Sequence, residues 1–261
     1  MHPTSPALAP FVSGLHFFES SGPTTLEKIL PGGQVHLMVN LHENEFRIYE
    51  RGVVRRTLGA VLEGPTSQSR VIDTGLQRSL ICVDFTIGGA AAFFKLPLTE
   101  ARDGLVELDQ LWGRDGATLR ERLLDTPAAA AKLRLVHDLL VRHFAQRDPD
   151  PAIRPAAALI ERGATIGQAA SCIGLLSRTL NRRFAAAVGL TPKRYSRVRR
   201  LQRVLRSINS TRDVDWSATA AEYGYADQAH LVHDFRELTG MTPTQYQPRS
   251  PEAQNHVPVD P

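Results

Sequence analysis

The sequence has few cysteines and no long apolar stretch. Its 261 residues include only Cys82 and Cys172, which share no short spacing, so neither a disulfide nor a cysteine-based zinc site is expected. No apolar run approaches the ~18 residues that suggest a membrane span. The first residues lack the basic start and apolar core of a secretory signal. We therefore expect a globular chain in a reducing cytoplasm, with no membrane partner.

Recognisable catalytic and cofactor motifs are also missing. No nucleophile motif, phosphate-binding loop or carboxylate pair stands out. His36 and His42 lie near predicted strands without acidic or histidine partners at a recognisable metal spacing. His230 and His233 are three residues apart on a predicted helix, and no third ligand lies nearby in the sequence. We expect no catalytic residue, no metal site and no cofactor, and the chain is predicted not to be an enzyme.

Acidic residues are absent from one long window of the second half. Residues 1–148 carry 16 Lys and Arg against 17 Asp and Glu, a net charge of −1, whereas residues 149–261 carry 15 against 10, a net charge of +5. Between Glu161 and Asp213 there are 12 basic residues and no acidic one. A basic stretch inside a patterned segment indicates a polyanionic partner. The alternative is a solubilising surface that pairs with acidic groups elsewhere.

The same half contains an internal repeat. GLTPKRY at 189–195 returns 51 positions later as GMTPTQY at 240–246, and a gap-free alignment starting at residue 169 gives eight identities in 27 positions. The shared Gly suits the left-handed C-cap of one helix, and the Thr-Pro pair suits the N-cap and first turn of the next. Each copy therefore predicts a helix, a stop and a second helix.

A further short helix is predicted before each of these joints, beginning near Thr165 in the first copy and at Trp216 in the second. A short helix, a tight turn and a second helix make a helix-turn-helix unit, so the sequence predicts two such units. Residues 192–208 are predicted to form the helix between them, with an apolar stripe and an arginine-rich remainder. This helix spans roughly 25 Å, which would place two recognition helices ~34 Å apart, one turn of B-DNA.

The paired units, the two joints, SRTLNRRF and YADQAHLVHDF together resemble the DNA-binding domain of AraC/XylS-type bacterial transcription regulators, from about residue 150 to 248. Leu176 departs from the pattern, because the first recognition helix of the family usually begins with Ser. The resemblance implies a nucleoid-associated regulator that binds double-stranded promoter DNA and contacts RNA polymerase, with activation and repression left open. It also implies an N-terminal part that senses a small-molecule effector or forms a homodimer.

Hydrogen-bonding chemistry assigns roles along the two predicted recognition helices. Arg pairs with guanine, Asn and Gln pair with adenine, and Ala contacts a thymine methyl group. The residues expected at base edges are Arg178, Thr179, Asn181, Arg182, Gln228, Ala229 and His233. The residues expected at phosphates, or for some of them in ion pairs with the other domain, are Arg183, Arg194, Arg197, Arg199 and Arg200.

The first 148 residues are expected to be β-rich and then helical. Residues 34–41, 46–50 and 79–86 have strand patterns, and helical patterns follow from about residue 88. The predicted fold class is α+β, with a small β-sheet or barrel and helices over 1–148 as a sensor or dimerisation domain. An all-α domain of two helix-turn-helix units joined by a long helix is predicted over 149–248, and a flexible tail over 249–261.

Two other functions are compatible with the sequence. One is a cupin-like metalloenzyme fused to a DNA-binding domain, for which His36 and His42 would be the starting point. The other is a protein-interaction regulator whose C-terminal domain has lost DNA binding. Metal analysis tests the first alternative, and salt-dependent binding to short duplexes tests the second.

Overall fold

The structure, a computed structural model, describes residues 6–22, 24–50, 53–144, 150–208 and 214–259. It has the predicted α+β class, in which two β-sheets with helices are followed by an all-helical part. Residues 145–149, between the two parts, lie outside the described ranges, and the first helix of the C-terminal part begins at Ile153. No helix within these ranges is both long and apolar enough to cross a bilayer.

The β-rich part consists of two five-stranded antiparallel sheets. The strands are β1 (Val12–Glu19), β2 (Leu26–Ile29), β3 (His36–Asn40), β4 (Glu45–Glu50), β5 (Val53–Leu58), β6 (Ala60–Glu63), β7 (Arg70–Asp73), β8 (Ser79–Phe85), β9 (Leu105–Glu107) and β10 (His256–Pro258). The strand order is β1-β8-β3-β6-β9 in the first sheet and β10-β2-β7-β4-β5 in the second. Strands β3, β4 and β8 are the three that the sequence pattern predicts.

Alternation along β8 gives the first sheet two different faces. Ile81, Val83 and Phe85 are buried in the main core, whereas Cys82 and Asp84 point to the opposite side. Three helices complete that core: α1 (Leu108–Trp112), α2 (Arg114–Leu124) and α3 (Ala129–His143). The second sheet faces the Cys82 side, so the first sheet lies between the helices and the second sheet.

The C-terminal part contains the two predicted helix-turn-helix units. Its helices are α4 (Ile153–Glu161), α5 (Ile166–Cys172), α6 (Ser177–Val188), α7 (Pro192–Ser207), α8 (Trp216–Glu222) and α9 (Gln228–Thr239). The repeat is visible in the two cores. Tyr195 packs edge-on against Phe184 with ring centroids 5.3 Å apart, and Tyr246 packs in the same way against Phe235 at 5.9 Å. Each unit therefore buries the same aromatic pair at its joint.

The helix ends follow the repeat closely, with one difference. Gly189 and Gly240 cap α6 and α9 in the left-handed conformation, with φ of 82° and 73°. Thr191 caps α7, where its side chain accepts the backbone N–H of Arg194. In the second copy the expected helix is a single 3₁₀ turn, Pro243–Gln245. The chain turns away there because Tyr246 fills the core in an extended conformation.

The two parts of the chain are in direct contact. The backbone N–H of Leu98 donates to the carbonyl oxygen of Ala186 on α6 (3.1 Å). The Ser69 hydroxyl donates to the carbonyl oxygen of Thr239 at the end of α9 (2.8 Å). Both recognition helices are thus fixed to the N-terminal part at their C-terminal ends, which leaves their N-terminal ends facing outward.

Part of the segment expected to be a flexible tail is ordered, which corrects that expectation. Strand β10 pairs antiparallel with β2 at the edge of the second sheet. Arg249 and His256 of this segment contact the buried carboxylate of Glu27, at 3.0 and 2.7 Å. The short run of residues around β10 has little apolar character, so its pairing depends on this tertiary contact and not on its own sequence pattern.

Candidate nucleic-acid interface

Helix α6 presents a basic face at its outward end. Because Leu180 and Phe184 are buried in the core, Arg178 and Arg182 lie on the opposite side of the helix and are exposed. Leu176 is the N-cap residue of α6, and its side chain is 77% exposed. The sequence marks Leu176 only as a departure from the family pattern, but the structure places it beside Arg178 at the tip of the unit.

The two other base-edge candidates on α6 are less accessible. Thr179 and Asn181 are half-buried. The Asn181 side-chain amide donates to the carbonyl oxygen of Ser177 (2.9 Å), so it is bonded to its own helix. Contact with a base would require the amide to leave this bond.

Helix α9 presents a nearly neutral face at the corresponding position. Gln228, Ala229 and His233 are exposed, as expected for residues that reach bases. His230 has a structural role, because its ring Nδ1 accepts the backbone N–H of Ala226 (3.2 Å) in the preceding turn. The second unit therefore offers hydrogen-bonding and apolar groups with less charge than the first.

Arg197 links the connecting helix to the second recognition helix. Its guanidinium donates to Asp234 (2.8 Å) and to Glu237 (2.6 Å), both on α9. These hydrogen bonds, first of all the one to Glu237, raise the pKa of Arg197 far above its ordinary value. The hydrogen bond from Arg197 also lowers the pKa of Glu237. Since Asp234 is only 4% exposed, the pair fixes the position of α9 on α7.

Arg199 links the same helix to the first unit. It donates to the carboxylate of Glu161 at the end of α4 (2.8 Å), and the Tyr195 hydroxyl donates to the same carboxylate. Burial, and then the hydrogen bond to Glu161, raises the pKa of Tyr195 far above its ordinary value. The acidic partners of these arginines belong to the C-terminal part itself, not to the other domain as the sequence interpretation allowed.

The remaining arginines expected at phosphates differ in their surroundings. Arg183 forms a bidentate pair with Asp150, and this hydrogen bonding lowers the pKa of the Asp150 carboxyl. The guanidinium of Arg200 lies over the ring of Tyr225, 4.8 Å from its centroid. Arg194 is half-buried, and within the described residues its guanidinium has neither an ion pair nor a hydrogen bond.

A groove of about 640 Å³ runs between the two units along α7. Lys193, Arg200 and Arg203 line it on the connecting helix, and His233 lines it on the second recognition helix. Asp234 and Glu237 also line it, and both accept hydrogen bonds from Arg197. The basic side chains along its α7 wall favour an anionic ligand.

The N-terminal part contains a separate cavity of about 310 Å³ between its two sheets. Its walls are largely apolar, with Met38, Ile48 and Ile72 among them. Asn255 and His256 of the C-terminal segment also line it. A partly open cavity of this size, with apolar walls and a few polar groups, is typical of a small-molecule site.

One wall of the cavity contains three potential metal ligands, His36, Cys82 and Asp84, which the sequence pattern does not group together. The sequence shows no partner for His36 at a recognisable metal spacing, but strand pairing places Cys82 and Asp84 beside it. His42 lies elsewhere, next to a different surface groove. Burial raises the pKa of the Cys82 thiol well above its ordinary value, and the nearby Asp84 carboxylate adds to the effect. Burial alone would raise the pKa of Asp84, but hydrogen bonds from His36 and Cys82 hold it below its ordinary value.

Comparison with solved structures gives matches of low identity that cover most of the chain. ToxT from Vibrio cholerae O395 is 10% identical with a TM-score of 0.44, over 91% of this chain and 97% of that one. Unsaturated fatty acid-bound ToxT from strain SCE256 is 10% identical with a TM-score of 0.45, over 94% and 96%. ToxT bound to (E)-4-(8-methylnaphthalen-1-yl)but-3-enoic acid is 9% identical with a TM-score of 0.46, over 89% and 97%. No curated protein matches the sequence.

Two family models match separate parts of the chain. Residues 1–107 match a domain of unknown function (DUF6597), which covers the β-rich part. Residues 169–249 match a helix-turn-helix domain, which covers both recognition helices and the joint after each of them. Together with the repeated units of the structure, this match shows a C-terminal helix-turn-helix domain, the architecture that the resemblance to AraC/XylS-type regulators predicts.

Proposed function

We propose that the protein reads two successive major-groove segments of promoter DNA, and that a small molecule in the N-terminal cavity controls this binding. The observation that carries the proposal is the 51-residue repeat, which gives two recognition helices, α6 and α9, with exposed N-terminal ends on either side of one connecting helix. A single chain thereby carries the two reading elements that simpler repressors obtain by dimerising.

The first unit supplies the charged base contacts. Arg178 and Arg182 are exposed, one helical turn apart, and each has the geometry to donate two hydrogen bonds to a guanine. Leu176 adds an exposed apolar group beside them, which suits a thymine methyl group. In the second unit Gln228, with Ala229 beside it, is suited to adenine and thymine edges.

Phosphate binding is proposed for fewer residues than the number of arginines in these helices indicates. Arg194 remains the primary candidate because its guanidinium is not engaged among the described residues, and Lys193 next to it is exposed. Arg183, Arg197 and Arg199 are held in ion pairs within the C-terminal part and contribute mainly to the position of its helices.

The C-terminal segment connects the cavity with the DNA-binding part. Gln202 on α7 donates to Asn255 (2.8 Å), which lines the cavity, and to the carbonyl oxygen of Pro31 (2.8 Å). A ligand that moves Asn255 would therefore act directly on the helix that spaces the two units. This supports control of the DNA-binding geometry from the cavity.

The test is selection of bound sequences from a random duplex pool with the full chain, followed by gel shifts of the selected site at several salt concentrations. We expect two half-sites about one helical turn apart and an affinity that falls steeply with salt. A single half-site would contradict the two-groove reading. Absence of salt-dependent duplex binding would favour the protein-interaction regulator instead.

Control by the cavity is tested separately with Met38→Trp, which fills the cavity without altering any proposed DNA contact. If the cavity controls binding, this variant changes the affinity for the selected site. An unchanged affinity in a variant that folds normally would remove the effector part of the proposal and leave the DNA contacts intact.

A further inference from the structure

Four chemically reactive side chains meet on the cavity face of the first sheet. In the strand pairing His36 on β3 lies opposite Asp84 on β8, and His16 on β1 lies opposite Cys82 on β8. Directly opposed residues share a face, and so do Cys82 and Asp84, which are two positions apart on one strand. Three neighbouring strands therefore hold all four side chains on a rigid surface.

The donor atoms lie at distances close to those of a metal site. The Asp84 Oδ1 atom is 2.7 Å from His36 Nδ1 and 3.3 Å from Cys82 Sγ, and the latter two atoms are 3.8 Å apart. Donors at about 2.0–2.3 Å from a tetrahedral zinc ion are separated by roughly 3.3–3.7 Å. The three groups need to shift by less than about 1 Å to surround one ion.

We propose that His36, Cys82 and Asp84 bind one zinc ion, with the fourth coordination position open to the cavity between the sheets. Imidazole, thiolate and carboxylate are the ligands that zinc takes in proteins, and three protein ligands with an open position are typical of sites where a further ligand binds. On binding, Cys82 releases its thiol proton to solvent, and His36 coordinates through Nδ1 as a neutral imidazole that carries its proton on Nε2. The inference does not depend on the DNA contacts proposed above.

His16 has the role of an orienting partner for Asp84. Its Nε2 atom lies 3.0 Å from Asp84 Oδ2, the carboxylate oxygen that does not face His36 and Cys82. This contact leaves Oδ1 for the metal and fixes the rotation of the carboxylate. Gly14 makes room for it, because a Cβ atom at position 14 would lie 2.2 Å from His16 Nε2.

A second group of potential metal ligands has compatible spacing, but its carboxylates are already paired with an arginine. His233, Asp234 and Glu237 also place donor atoms within 4.8 Å of one another. The carboxylates of Asp234 and Glu237, however, both accept hydrogen bonds from Arg197. A cation there would have to displace a bidentate guanidinium, so this group serves as a comparison and not as a site.

The test uses the full-length protein, stripped with a chelator and titrated with Co²⁺ as a spectroscopic substitute for zinc. We expect one equivalent of bound Co²⁺, with thiolate-to-cobalt charge-transfer absorption that zinc abolishes by displacement. Cys82→Ser should remove this absorption. Cys172→Ser, which alters the exposed cysteine of α5, should retain it.

Four histidine variants extend the test, two at the proposed site and two outside it. His36→Ala should weaken metal binding by more than the roughly 10–100-fold that loss of an outer-shell partner costs, whereas His16→Ala should fall within that range. His42→Ala and His233→Ala should bind as the wild type does. His16→Ala, which removes no ligand, keeps the proposal testable if Cys82→Ser fails to fold.

The absence of charge-transfer absorption in the wild type would overturn the proposal, as would absorption that survives Cys82→Ser or disappears in Cys172→Ser. Any of these three results would leave the cluster as a hydrogen-bonded link between three strands. Metal binding that is lost in His233→Ala would place the ion at the other group and would also contradict the assignment.

Discussion

Neighbouring arginines in this sequence have opposite surroundings. Arg182 is exposed on the outward face of α6, whereas Arg183 is bonded to Asp150. Helical periodicity separates the two faces, but the partner of Arg183 is 33 positions away and carries no local signal. Charge density therefore locates the basic domain, and only the folded chain shows which of its charges are available to DNA.

At Arg178 the first prediction follows from exposure and position. Arg178→Ala should lower the affinity for the selected site by ~1–3 kcal/mol and relax the preference at one base position, because it removes a bidentate donor. Gel shifts and a repeated selection measure both effects. Arg134→Ala, an exposed arginine of α3 in the N-terminal part, is the control and should change neither. Equal behaviour of the two variants would rule out the assignment.

Arg194 and Arg197, less than one helical turn apart on α7, should respond differently to removal. Arg194→Ala should reduce the slope of log affinity against log salt by about 0.9 and leave stability within about 0.5 kcal/mol. Arg197→Ala should destabilise the fold by about 3 kcal/mol, since it leaves the buried Asp234 without its guanidinium. Salt titration of DNA binding and urea unfolding separate the two roles. If Arg197→Ala is instead as stable as the wild type and has a reduced salt slope, Arg197 contacts phosphate and is not the structural ion pair.

Among the elements, the two joints of the repeat have the same backbone but different neighbours. Gly189 and Gly240 are both left-handed helix caps, which the shared sequence predicts. A Cβ atom at Gly189 would lie 2.5 Å from Pro65 and 2.7 Å from the carbonyl oxygen of Leu98, whereas at Gly240 its nearest neighbour would be 3.6 Å away. The repeat thus predicts the conformation, and the domain contact decides how much space each glycine has.

Alanine at these two caps therefore gives a matched comparison. Gly240→Ala should cost about 1 kcal/mol, the penalty of a left-handed alanine. Gly189→Ala should cost about 3 kcal/mol, because the same penalty is joined by a clash with the backbone of the other domain. Urea unfolding of both variants measures the difference. If the two costs are equal, the domain contact at Gly189 is looser than the structure indicates.

The helical elements are more predictable from this sequence than the sheets. The caps and apolar spacing that define α6, α7 and α9 are local, so the pattern locates them to within a residue or two. Strands such as β2, β6 and β10 have three or four residues and depend on their partners for stability. The meeting of His36 with Cys82 and Asp84 depends on register between strands more than 40 positions apart, which periodicity in one strand does not specify.

On the scale of the whole molecule, the C-terminal segment connects its two parts. Glu27 on β2 is 1% exposed and accepts contacts from Arg249 and His256, while Thr25 is its other hydrogen-bonding neighbour. Burial alone would raise the pKa of Glu27, but the hydrogen bonds and charges of Arg249 and His256 lower it below the ordinary value of 4.5. The ionised carboxylate therefore holds β10, and with it Asn255 at the cavity, in place.

A lowered pKa in the folded state has a definite sign in the dependence of stability on pH. The stabilisation is fully present above pH 4.5 and is lost as the pH falls through the lower value of the folded protein. Glu27→Gln should thus be less stable than the wild type by about 2 kcal/mol at pH 7, and the two should converge in acid. Thermal unfolding across this range measures the difference, with the exposed Glu43→Gln as the control that tracks the wild type throughout. A gap between wild type and Glu27→Gln that persists below pH 3 would mean that packing of β10, and not the charge of Glu27, holds the segment on the sheet.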